Sequence, residues 1–216
     1  MSYMPTCSAR SQALLFALVL AFIAAAPPTL AAGGPIGIDH PVPLDDSGIW
    51  ARRNQKILLG AMLVGETGIA LWEGGDSRLG RVAWQSIDAT AIGGIAATIL
   101  KRGFSRSRPD QTTDPNKWFQ GSGNESFPSG EVTLTSAIVT PFVLEYGTDH
   151  PAVYLLELLP LYDAIGRVKV HGHWQSDVVA GFALGTATGM LLHRRSKTPL
   201  ILSVMPNSIY VGIKFH

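Results

Sequence analysis

Residues 167–177 read Arg-Val-Lys-Val-His-Gly-His-Trp-Gln-Ser-Asp. His173 and Asp177 are four apart, so on a helix they share one face within hydrogen-bond reach. A carboxylate that fixes the tautomer of a histidine makes a nucleophile or base of the ring. The same stretch has two plainer readings, a capped polar helix start and a metal pair built from His171 and His173. No third or fourth ligand at metal spacing accompanies the pair, so no metal and no other cofactor is expected.

Two further clusters lie upstream, each at the end of an apolar stretch. Residues 126–131 read Ser-Phe-Pro-Ser-Gly-Glu. Ser129 as N-cap with Glu131 in the first turn is ordinary helix-start chemistry, and the same geometry offers free backbone N–H groups to an anion. Residues 101–109 read Lys-Arg-Gly-Phe-Ser-Arg-Ser-Arg-Pro. These cations suit a helix C-terminus through the dipole. Lys101 and Arg108 are seven apart, which puts them on one face if the helix continues that far, and Pro109 then stops it.

Taken together, Lys101-x6-Arg108-Pro109, Pro128-Ser129-Gly130 and Arg167-x5-His173-x3-Asp177 resemble the three-part signature of the type 2 phosphatidic acid phosphatase superfamily. That group contains bacterial acid phosphatases, lipid phosphatases and vanadium haloperoxidases. The gaps, 18 residues from Pro109 to Pro128 and 35 from Glu131 to Arg167, also look like the family's. The resemblance spans about residues 55–195 and implies an all-α, compact helical bundle. It also implies roles. Lys101, Arg108 and Arg167 surround the phosphoryl oxygens, and the backbone N–H groups of Ser129 and Gly130 add helix-start donors. His173 attacks phosphorus and Asp177 orients its other nitrogen. Such charge clamps supply most of the catalysis in phosphoryl transfer.

Two departures from the pattern stand out. Gly166 precedes Arg167 where the family usually has serine. Glu131 stands where the family has the histidine that protonates the leaving alcohol. Beside three cations and a helix N-terminus, a carboxyl is driven toward ionisation, which makes it a poor acid at neutral pH. Several readings are open: Glu131 works at acidic pH, His171 donates the proton instead, the substrate is a diphosphate whose leaving group needs less protonation, or the chain only binds phosphate.

The 216-residue chain is 46% hydrophobic and 15% charged, with a mean hydropathy of +0.21. So few charges argue against disorder and for a lipid-related setting. With 17 basic and 16 acidic residues there is no bulk field for nucleic acid, and no nucleic-acid partner is expected. Residues 1–32 have the layout of a secretory signal. Arg10 precedes an apolar run from Ala13 to Ala26, and small residues follow Pro27-Pro28. An exported, periplasmic chain is expected, and Cys7, the only cysteine, leaves with the signal.

Residues 33–50 read as an extended leader and 51–196 as the phosphatase-like domain. Its apolar stretches lie at about 55–72, 82–100, 130–146, 151–166 and 176–193. Each carries an acid and is rich in Ala, Gly and Thr, which fits a packed bundle better than membrane spans. Trp118-Phe119 reads either as a lid or wall for an apolar tail or as a packed loop. Alternation over 197–216 around Pro206-Asn207-Ser208 predicts a β-hairpin.

The expected function is therefore a metal-independent phosphatase acting on a phosphomonoester or diphosphate through a phosphohistidine. The expected partner is a phosphorylated lipid or a small phosphoester, with peripheral contact with a membrane. Transfer of the phosphoryl group to an alcohol, and a non-enzymatic lipid-binding envelope protein, are the alternatives. The oligomeric state is not legible in the sequence.

Overall fold

A computed structural model describes residues 33–195 and two strands at 201–205 and 208–211, so the predicted signal at 1–32 lies outside the described residues. Five helices form the bundle: α1 Arg52–Glu73, α2 Arg78–Phe104, α3 Gly130–Tyr146, α4 Leu158–Lys169 and α5 Gln175–Arg195. Short 3-10 turns at Gly48–Trp50 and Pro151–Glu157 precede α1 and α4. The strands β1 Ile201–Met205 and β2 Ser208–Val211 pair antiparallel, with Val204 opposite Ile209.

α3 is the central element. Its residues from Val132 to Val143 are buried almost all round, because it is apolar on every face. Its threonines satisfy themselves on the preceding turn: Thr133 donates to the Ser129 carbonyl at 2.8 Å and Thr140 to that of Ser136 at 2.8 Å. α5 packs closely against it because glycines line the contact. A Cβ at Gly181 would stand 2.5 Å from the Ser129 carbonyl oxygen, and one at Gly185 would stand 2.2 Å from that of Thr133. This close approach brings the N-terminus of α3 against the segment that carries His173 and Asp177.

The acids expected to argue against membrane spans are largely interior. Glu66 is buried between α1 and α2, where it accepts a hydrogen bond from Ser86 Oγ at 2.6 Å. Burial pushes its carboxyl up to about 7 despite the Ser86 and Thr90 hydroxyls. Burial does the same to Glu157. Among the described residues, no helix is long and apolar enough to cross a membrane.

The structure corrects two readings of the helices. The stretch 151–166 is not one helix but a 3-10 turn followed by α4. The break places Pro160 in the first turn of α4, where its missing N–H costs nothing; one continuous helix would bury it mid-element. α2 also stops short of Arg108. It ends at Phe104, capped by Ser105 in the left-handed region at φ 38°. Lys101 and Arg108 therefore do not share a helix face.

Candidate active site

The loop from Ser105 to Ser129 doubles back from the end of α2 to the start of α3. An aromatic cluster holds it: Trp118 meets Phe104 and Phe127 edge-on, with centroids 5.8 and 5.2 Å away. Trp118 is thus a packed loop residue, and its neighbour Phe119 is exposed. The doubling back reunites the two cations that the helix does not align. Lys101 Nζ and Arg108 Nη2 both donate to the carbonyl of Glu125, at 2.7 and 3.2 Å.

The segment between α4 and α5 is a tight loop. The backbone N–H groups of Gly172 and His173 both donate to the Arg167 carbonyl, at 3.0 and 3.2 Å. A Cβ at Gly172 would lie 2.2 Å from Arg167 Nη2, so any larger residue there would have to displace the guanidinium. His173 precedes α5 instead of sitting on it, and its Nδ1 stands 3.7 Å from Asp177 Oδ2, beyond hydrogen-bond length. Asp177 is otherwise fully engaged. Oδ1 accepts from Arg106 Nη1 at 2.5 Å, and Oδ2 accepts from Ser126 Oγ at 2.5 Å and the Trp174 N–H at 2.9 Å.

One cavity of about 510 Å³ gathers Lys101, Arg108, Gly130, Glu131, Arg167 and His173. Of the remaining expected residues, Ser129 has its N–H committed to the Asp177 carbonyl at 2.9 Å. Its N–H is therefore not free for an anion. Its Oγ is buried and makes no side-chain cap, so Ser129 is an N-cap by backbone angles alone. Gly130 remains at the cavity. His171 is turned away from it, with Nε2 2.7 Å from the carbonyl of Val42 and φ at 56°. That placement removes the geometric basis for His171 as proton donor.

Two cations lining the cavity escaped the sequence reading, Arg52 and Lys56 from the first turns of α1. Their spacing of four puts them on one face, but nothing local links α1 to the other clusters. Arg52 forms a two-pronged ion pair with Glu131: Nη1 meets Oε2 at 2.7 Å, and Nη2 meets Oε1. Burial would raise the Glu131 carboxyl, but Arg52, Arg167 and His173 outweigh it and hold it below the usual carboxylate range. Glu131 is therefore a paired carboxylate at neutral pH. Behind it, buried Asp163 is pushed up to about 7 by burial and the charge of Glu131, against Arg167 and Arg52.

Burial pushes His173 down to about 3, and Lys101 and Arg167 add to that against the pull of Asp177. The ring is thus neutral, with a lone pair to donate. Among the described residues, no group of three or more His, Cys, Asp or Glu is placed to hold a metal ion.

Lys101 is drawn down to about 8, first by burial and then by the Arg108 charge, with Asp177 and Glu125 opposing. Below that pH it is a cation facing the cavity, and above it the cavity loses a charge. The affinity for inorganic phosphate, measured by calorimetry, is expected to fall severalfold between about pH 7.5 and 9.5. Phosphate itself only becomes more fully dianionic over that range, which works against a fall. In Lys101→Arg the guanidinium stays charged, so the fall should vanish. A flat profile in the unaltered chain would contradict this assignment.

A helical bundle that draws cations and a neutral histidine from three separated segments around one cavity has the form of a phosphoryl-handling enzyme. The chain belongs to the PAP2 superfamily, whose model matches residues 83–199. It is similar to the lipid A 1-phosphatase of Rhizobium johnstonii, with 35% identity over 103 residues, 45% of this chain and 41% of that protein. The lipid A 1-phosphatase of Rhizobium etli is 35% identical over 97 residues, 43% of this chain and 40% of the relative. That of Porphyromonas gingivalis is 34% identical over 92 residues, 42% of this chain and 18% of the relative. The match thus spans about two fifths of the Rhizobium proteins and less than a fifth of the third. No solved structure matches significantly.

Proposed function

We propose that this protein is an exported phosphatase that removes a terminal phosphoryl group from a phosphorylated lipid through a covalent phosphohistidine on His173. The observation that carries the reading is the convergence of Arg52, Lys56, Lys101, Arg108 and Arg167 with a neutral His173 on one cavity. The cations hold the phosphoryl oxygens, and His173 Nε2 attacks phosphorus in line with the leaving oxygen. Asp177 lies behind Nδ1 and stabilises the charge that the ring gains. Water then breaks the N–P bond and releases phosphate. Three to five fixed positive charges do the electrostatic work, so no metal is needed in this scheme.

The leaving group narrows the substrate. Glu131 is ionised and paired with Arg52, so it has no proton to give near neutral pH. A phosphate leaving group, as in a lipid diphosphate, departs without one. The cavity's five cations against one carboxylate also exceed the charge of a phosphomonoester dianion and suit the larger charge of a diphosphate.

Membrane contact fits α1. Ile57, Val64, Leu71 and Trp72 are exposed along it beyond the cavity, and no charge is exposed between Ile57 and Trp72. Residues 83–199 match a family that includes lipid A 1-phosphatases, which supports a phosphorylated lipid as substrate.

Phosphate release from a phosphomonoester, phosphatidic acid and a polyprenyl diphosphate, between about pH 4 and 8 with and without chelator, tests the proposal. Release that persists in chelator and is fastest from the diphosphate is expected. Release that stops in chelator would overturn the metal-free mechanism. No release by a folded protein that still binds phosphate would favour a binding relative.

A further inference from the structure

We propose that Asp39 is a positioning residue for catalysis, acting through Arg106 on Asp177 and so on His173. The inference rests on the phosphohistidine reading. Asp39 lies in the segment before α1, outside residues 83–199, yet its side chain is as buried as the catalytic carboxylate.

The contact runs through one guanidinium. Arg106 makes five hydrogen bonds, one for each of its N–H groups. Nε and Nη2 donate to the Pro115 carbonyl at 3.1 and 2.6 Å, and Nη1 donates to Ser176 Oγ at 2.8 Å and Asp177 Oδ1 at 2.5 Å. The fifth runs from Nη2 to Asp39 Oδ2 at 2.6 Å. Arg106 is fully buried, with its guanidinium 4.3 Å over the Trp118 ring. Asp39 is itself fixed to the first turn of α5: Oδ1 accepts from the Ser176 N–H at 2.7 Å and Oδ2 from Ser176 Oγ at 2.7 Å.

The backbone around Asp39 is built to hold it there. Its N–H and carbonyl pair with Gly33 at 3.0 and 2.8 Å. Gly34 turns at φ 78°, where a Cβ would lie 1.8 Å from Asp39 Oδ2. Beyond it, Gln175 Nε2 donates to the His40 carbonyl at 2.9 Å, and the Asp45 N–H donates to that of Lys169 at 3.0 Å. The segment is a strap along the loop that carries His173.

Charge explains why a second carboxylate matters. A buried arginine paired with Asp177 alone would cancel its charge, and Asp177 would offer His173 a neutral pair. With Asp39 on the other edge of the guanidinium, the trio keeps one net negative charge, beside His173. That charge stabilises the ring as it forms the N–P bond and becomes positive. Asp39 also locks the fork of Arg106, and with it the rotamer of Asp177.

The test compares the unaltered chain, Asp39→Asn, Asp177→Asn and the double variant, using p-nitrophenyl phosphate and a polyprenyl diphosphate. Asparagine keeps one acceptor oxygen, for Arg106 Nη2 and Ser176 Oγ, and loses the charge together with the acceptor for the Ser176 N–H. Asp39→Asn is expected to lower kcat about 30-fold with KM within about twofold, and to cost less than about threefold once Asp177 is already asparagine. Equal losses in both backgrounds, or a loss confined to KM, would show a merely structural role and overturn the inference alone. Should Asp39→Asn fail to fold, Ser176→Ala keeps both carboxylates and removes one bridge, and a smaller kcat loss with the same non-additivity is expected. No turnover of either substrate by the unaltered chain would overturn the phosphatase reading, and this inference with it.

Discussion

Replacing His173 with alanine is expected to lower turnover by at least about 10⁴-fold while the protein still folds and binds phosphate. Among the described residues that line the cavity, the imidazole is the one neutral side-chain nitrogen facing the five cations, and burial favours its neutral form. The cations are independent of it: Lys101 and Arg108 are held by the Glu125 carbonyl, and Arg52 by Glu131. Phosphate affinity should therefore change by no more than about tenfold. Chemical quenching during turnover adds a direct readout. The unaltered chain should carry an acid-labile, alkali-stable phosphoryl group that the alanine variant lacks. Retained turnover, or a phosphoryl group still present in the variant, would place the nucleophile elsewhere.

Glu131→His is expected to raise turnover of an alkyl phosphomonoester about 10–100-fold near neutral pH. An alkoxide leaving group needs a proton, and Glu131 is held ionised by its two-pronged pair with Arg52 and by the nearby charge of Arg167. An imidazole at that position can carry a proton at a pH where the carboxylate does not. The substitution also releases Arg52 into the cavity, which adds to anion binding. The diphosphate should gain far less, because its leaving phosphate never needed the acid. The ratio of the two rates, measured with one enzyme preparation, separates proton donation from tighter binding. A fall in alkyl-phosphate turnover, or an equal gain on both substrates, would show that Glu131 was not limiting the reaction as an acid.

Much of the bundle was legible because helix formation is local. Four of the five apolar stretches became single helices close to their expected bounds, and 151–166 divided where Pro160 required it. The three site clusters were legible for a related reason: each lies at the end of a helix, where polar residues interrupt the apolar pattern. How each cluster works was less visible. Ser129 looked like a capping side chain and a free N–H donor, but its N–H is spent on the Asp177 carbonyl. His171 looked like a neighbour of His173, but a left-handed backbone turns it toward Val42. Both outcomes depend on where a distant segment's carbonyl lies, which spacing along the chain does not encode.

By itself, the order of residues determined most of the helices and the identities of Lys101, Arg108, Arg167, His173 and Asp177 as one chemical set. Helical period, turn residues and charge type are properties of near neighbours, so they can be read along the chain. Only the tertiary structure decided that Arg52 neutralises Glu131, that Lys56 reaches the cavity, and that Asp39 grips Arg106 behind Asp177. Those pairings join residues 67 to 79 positions apart. They depend on close packing of helices across small side chains, where a glycine such as Gly181 or Gly185 sets how near two backbones come.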